Sequence, residues 1–247
     1  MSNRIAAKLL AEFIGTFALI FIGAGAAAVV GGAGLAGVAA IAFAHGLTVM
    51  AFAFAYGPVS GGHFNPSVTT AVLAAGAMRA GEAAVYIVSQ LVGGLLGALL
   101  LRAVLGGAET GLGTPMLAHN LALGATTLTV TPWAGYVIEA LLGFFLSTVV
   151  LSTAVAGRTG NLAPLAIGVT LVLNIIMGGP LTGAAFNPAR ALGPMVATGN
   201  FSDAWLYLTA PIVGAIVAAI LHTGLARLAR ERMASAGPRT AARTPAE

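Results

Sequence analysis

His63-Phe64-Asn65-Pro66-Ser67-Val68-Thr69-Thr70 sets an asparagine beside a proline between long apolar runs, and Phe186-Asn187-Pro188-Ala189-Arg190 nearly repeats it 122 residues later. At a helix start the first backbone N–H groups lack partners. Asn is a favoured N-cap, and Pro suits the first turn because its missing N–H costs nothing there. Asn65-Pro66 and Asn187-Pro188 therefore read as two helix starts.

Laying the chain on itself at the same offset pairs more than this motif. Gly46 meets Gly168, Thr48 meets Thr170, Pro58 meets Pro180, Gly61 meets Gly183 and Phe64 meets Phe186. The chain is duplicated. Of its 247 residues 58% are hydrophobic and 7% charged, which excludes a water-soluble globule. Spanning helices need about 20 mostly apolar residues, and six candidates separate, at roughly residues 8–30, 36–57, 83–105, 134–156, 163–180 and 204–226. The first is too long for a signal-peptide core and carries Glu12.

Each half holds three spans, and an odd number reverses the second half, so the repeat is inverted. The halves are residues 1–122 and 123–230, followed by a tail at 231–247 whose Ala, Arg, Pro and Thr content reads as disordered. A net charge of +4 does not point to nucleic acid, because the basic residues flank spans: Arg4, Lys8, Arg79, Arg158 and a cluster from Arg227 onward. As positive-inside flanks they place both termini in the cytoplasm. Without cysteine there is no disulfide, thiolate metal site or cysteine nucleophile, and no metal centre is expected.

The stretches from Pro58 to Gly81 and from Pro180 to Ser202 are semi-apolar and too short to span. They read as re-entrant loops that continue into half-helices. Entering from opposite faces, two such helices bring their positive N-terminal ends together near the midplane, where a cation or hydrated proton is repelled. The Asn65 and Asn187 amides can donate to passing water there. Arg190, one turn into the second half-helix, is a charge at a depth where it faces a watery cavity.

SGGHFNPSVT (Ser60 to Thr69), NPAR (Asn187 to Arg190) and AEFIGTF (Ala11 to Phe17) resemble the signature motifs of the aquaporin, or major intrinsic protein, family, over about residues 5–228. The resemblance implies an all-α membrane protein with six transmembrane helices and two re-entrant half-helices in an inverted repeat. It implies a passive channel for water and small uncharged solutes, a homotetramer without cofactor in the inner cell membrane. It also assigns residues. His45, Ile175, Ala184 and Arg190 fall on the family's constriction, and Asn65, Pro66, Ser67, Asn187, Pro188 and Ala189 on its paired motifs. Glu12 and Glu139 fall on carboxylates that accept N–H groups of the re-entrant loops. His63 is expected either to line the cytoplasmic vestibule or only to tie its loop.

Three departures bear on selectivity. Ser67 stands where the motif normally has Ala, and is expected to bond back to the helix backbone or to add a polar group near the midplane. His45 and Ile175 stand where strict water channels usually have an aromatic and a His, and Ala184 is small. The expected constriction is wider and less polar, similar to plant vacuolar-membrane channels that also pass ammonia or urea. Ala191 after Arg190, where glycerol facilitators usually have Asp, argues against a dedicated glycerol channel, although Leu208 after Tyr207 is a glycerol-channel-like feature that keeps a glycerol-facilitator-like channel as an alternative.

Other classes fit less well. An intramembrane hydrolase using Ser67 with His63 or His45 lacks an orienting third group. An active transporter would share inverted repeats and broken helices, yet it needs titratable coupling groups beyond His45 and Arg190. An adhesive membrane protein with a closed pore is not distinguished by sequence.

Overall fold

The computed structural model describes residues 3–31 and 34–235. In chain order the helices are α1 (Asn3–Val30), α2 (Gly34–Ser60), the short α3 (Pro66–Ala74), α4 (Ala80–Val104), α5 (Pro132–Val155), α6 (Ala163–Thr182), the short α7 (Pro188–Thr198) and α8 (Ala204–Ser235). Among the described residues, six helices are long and apolar enough to cross a membrane, all of these but α3 and α7. The protein is a multi-pass membrane protein, with solvent preferences turned inside out. Large apolar side chains such as Phe43, Val88, Leu173 and Ile220 lie exposed on its outer face, while Glu12, Gln90, Asn174 and Glu139 are buried. Lipid makes the outward apolar surface cheap, and helices then associate through close packing and polar contacts.

Duplication shows in the packing. The most extensive contacts join α5 to α8, α2 to α6 and α1 to α4, while α3 packs on α8 and α7 on α4. Exchanging the halves maps this pattern onto itself. Where α2 crosses α6, Gly46 and Gly168 face one another: a Cβ on Gly46 would lie 2.6 Å from the Gly168 carbonyl oxygen, and one on Gly168 2.7 Å from the Gly46 oxygen. Repeat mates thus meet at the pseudo-twofold axis, at a separation no larger residue permits.

Three features depart from the sequence reading. Pro58 and Pro180 lie inside the last turns of α2 and α6, and do not end them. The boundary at residues 122 and 123 falls within a small antiparallel hairpin, β1 (Leu121–Leu123) with β2 (Thr126–Leu128), in the connection between halves. Where the composition predicts a structureless tail from residue 231, α8 continues to Ser235. Ala, Arg, Glu and Met are good helix formers there, and Arg227 pairs with Glu231 one turn on, at 2.9 Å. The rest of the tail lies outside the described residues.

Candidate functional site

The two loops before the half-helices share one backbone path. Gly61 and Gly183 have φ of 94° and 76°, Gly62 and Ala184 of 65° and 41°, and Phe64 and Phe186 of 49° and 32°. Left-handed conformations in Ala184, Phe64 and Phe186 cost about 1 kcal/mol or more each, so the surroundings must hold them. A buried carboxylate does so in each half. Glu12 on α1 accepts Ser60 Oγ (2.7 Å) and His63 N (2.9 Å) on one oxygen, Phe64 N and Gln90 Nε2 (both 2.7 Å) on the other. Glu139 on α5 accepts Thr182 Oγ1 (2.6 Å) and Ala185 N (2.9 Å), then Phe186 N (2.5 Å). Tyr86 and Tyr207 donate to the carbonyls of Ser60 and Thr182, at 2.9 and 2.8 Å. Charge-assisted bonds of this kind offset the cost of burying the carboxylates.

The loops then deliver two caps. Asn65 Oδ1 accepts Ser67 N at 2.8 Å, and Asn187 Oδ1 accepts Ala189 N and Arg190 N at 3.0 and 3.2 Å, with Pro66 and Pro188 opening α3 and α7. Each Asn amide also crosses to the other half: Asn65 Nδ2 donates to the Phe186 carbonyl (3.0 Å) and Asn187 Nδ2 to the Phe64 carbonyl (2.9 Å). An amide nitrogen carries two hydrogens, so one on each Asn remains for whatever occupies the lumen. Of the two placements expected for Ser67, the hydroxyl does not bond back to the backbone of its own helix but adds a polar group between the two half-helices. It is fully buried, 2.9 Å from Asn65 Oδ1 and 3.2 Å from the Phe186 oxygen, at the seam between the half-helices.

The caps bound a central chamber with about 20 Å³ open to water, lying between wider vestibules of about 470 and 530 Å³. Arg190 lines both the chamber and the first vestibule, and Ile167 both the chamber and the second. His45, Ala184, Asn65 and Asn187 line the chamber; Ile175 joins Arg190 in the first vestibule. His63 lines the chamber and not the vestibule beyond it. Its Nδ1 is 3.1 Å from Thr69 Oγ1. The same hydroxyl accepts Gln90 Nε2 at 2.9 Å, so Thr69 links His63 to α4.

His45 is oriented from two sides. Its Nδ1 lies 2.9 Å from the Ile41 carbonyl, which can only accept, so in the neutral ring Nε2 is an acceptor, and no group among the described residues meets it. Its ring packs on Gly23, where a Cβ would come within 2.7 Å of it. Gly23 belongs to a π-helical turn, Leu19–Ala24, of α1. Arg190 Nη1 donates to the Gly113 carbonyl at 2.8 Å, while its buried Nε has no partner among the described residues. Gly113 (φ 67°) approaches α1 so closely that a Cβ there would sit 2.6 Å from the Ala24 oxygen.

Sequence reading missed the anchors of these residues. Ser60 with Thr182 and Tyr86 with Tyr207 recur at or near the repeat offset and were detectable in principle. Nothing local marks Gly113, Gly23 or Gln90 as partners of Arg190, His45 and Glu12.

Two half-helices capped face to face inside six spanning helices, with a narrow chamber between two wider vestibules, define a passive membrane channel. Residues 1–222 match the family described as Major intrinsic protein. The chain is 38% identical to Aquaporin NIP1-2 of Oryza sativa subsp. japonica, over 85% of this chain and 69% of that one. It is 37% identical to a glycerol uptake facilitator protein-like 6 of Lactiplantibacillus plantarum, over 86% and 94%. Its fold is similar to the X-ray structure of the aquaglyceroporin from Plasmodium falciparum, with a TM-score of 0.78 over 92% of this chain and 99% of that one, at 23% identity. The chain belongs to the major intrinsic protein family, and is an aquaporin-type passive channel for water and small solutes.

Proposed function

We propose that His45, Ile175, Ala184 and Arg190 set the selectivity of this channel, passing water together with small neutral solutes such as ammonia or urea and excluding ions and protons. The observation that carries this reading is the lining of the chamber, in which Arg190 is the one permanently charged side chain among the described residues and two half-helix N-termini converge. Arg190 and both dipole ends repel cations. The free Asn65 and Asn187 hydrogens interrupt a proton-conducting file of waters, because a water held as acceptor from both cannot relay a proton. Across the passage His45 Nε2 offers an acceptor to an N–H or O–H of the solute, and Ile175 with Ala184 leaves the remaining wall apolar. A strict water channel is the second reading, favoured by the small free volume of the chamber.

Stopped-flow light scattering on proteoliposomes separates the two. Fast shrinkage in an impermeant osmolyte, with re-swelling in urea or an ammonium salt that Ile175→His abolishes, is the result expected. Fast water flux without solute flux makes the protein a strict water channel.

The wider setting follows the same reading. Basic residues at the ends of α1 and α8 support cytoplasmic termini, so that the Arg190 vestibule faces outward and the Pro58 vestibule inward. The membrane is the inner cell membrane, and the channel is a homotetramer with one passage per subunit.

A further inference from the structure

The 122-residue offset relates not only the loops but the walls of the passage. His45 maps onto Ile167, Ala184 onto Gly62, Arg190 onto Val68 and Ile175 onto Ala53. The first three mates all line the chamber, and Ala53 lines the second vestibule together with Ile167. Ala53 and Gly62 touch: a Cβ on Gly62 would lie 3.3 Å from Ala53 Cα. Ile167 thus stands between chamber and vestibule at one end as Arg190 does at the other. The four residues proposed as the polar filter have four counterparts, three on the chamber wall and two, Ile167 and Ala53, on the wall of the opposite vestibule.

We infer that Ala53, Gly62, Val68 and Ile167 form a second, apolar constriction, in series with the first, that sets the upper size limit for solutes. Its side chains carry no hydrogen-bonding group, so it selects by bulk where the His45 end selects by hydrogen bonding. Chain sizes nearby are consistent with two different rings. Gly23, eleven residues beyond Glu12, leaves space for the His45 ring, whereas Val150, eleven beyond Glu139, itself lines the chamber. An apolar ring also carries a dewetting cost that a polar one does not.

This inference rests on the channel reading above, and one set of proteoliposome measurements tests both. Water flux and glycerol uptake are compared for wild type, Ile167→Ala, Ile167→Val and Val68→Thr. Ile167→Ala, which removes three carbons from the wall, raises glycerol uptake relative to water at least about ten-fold, the lower end of what one methylene commands at an apolar wall. Ile167→Val shifts the ratio the same way by less, and serves if the alanine variant does not fold. Val68→Thr, which adds a hydroxyl at constant volume, raises water flux roughly two- to ten-fold, the rate equivalent of one added hydrogen bond. An unchanged ratio in both Ile167 variants, or unchanged water flux in Val68→Thr, overturns the second constriction. Wild-type water flux no faster than protein-free vesicles overturns the channel reading itself.

Discussion

Ser67 and the two glutamates show how differently buried polar residues can matter. The Ser67 hydroxyl shares both of its acceptors with other donors: Asn65 Oδ1 also takes Ser67 N, and the Phe186 carbonyl also takes Asn65 Nδ2. Removing it leaves no acceptor orphaned, so Ser67→Ala costs about 1 kcal/mol and keeps water flux, as thermal unfolding in detergent and stopped-flow shrinkage will show. Glu139→Gln is another matter. An amide would turn a donor toward Phe186 N or toward the Thr182 and Ala185 donors, leaving buried N–H groups unmet beside a strained Ala184. A loss of about 1–3 kcal/mol for each donor left unmet is expected, read as a fall in unfolding temperature with less functional protein recovered.

Among the elements, the π-helical turn in α1 has the most specific consequence. A widened turn places Gly23 under the His45 ring, which a Cβ would displace. Gly23→Ala is predicted to change the ratio of urea to water flux by about three-fold or more, the effect of losing roughly one solute hydrogen bond, while unfolding temperature stays near that of wild type. Neither this turn nor its role is legible in the sequence, since LIFIGA is as apolar and as helical as its flanks. The half-helices are legible for the opposite reason: Asn-Pro is a local signal for a helix start, and its recurrence with Gly61 and Gly183 specifies both loops. Ends are less legible than beginnings. Pro58 and Pro180 read as breaks, yet a proline in the last turn removes only one hydrogen bond, and α2 and α6 run past them. The hairpin from Leu121 to Leu128 escapes notice because Gly124-Ala125 is a weak turn signal and its strands are three residues each.

For the molecule as a whole, inversion of the repeat is readable from the count of spans, and with it the meeting of two loops. How the loops are held is only partly so: the resemblance points to Glu12 and Glu139, whereas Gln90, which steadies Glu12, and Gly113, which holds Arg190, act across dozens of residues of intervening chain with no local mark. The absence of cysteine has a consequence at this scale. With no thiol in the chain for mercury to bind, mercurials should leave water flux unchanged, and inhibition reversed by a thiol reductant would contradict this. The reciprocal bonds of Asn65 to the Phe186 carbonyl and Asn187 to the Phe64 carbonyl bear on something else, the order of events on the ribosome. Residue 65 is synthesised 122 residues before residue 187, and at about 5–20 residues per second this is a wait of roughly 6–24 s. Throughout that interval the first half-helix has its cap but not its mate, with an amide and a carbonyl unmatched at membrane depth. A nascent chain arrested before Asn187 should therefore hold its first loop open to water and to proteases, and close it only when the second arrives.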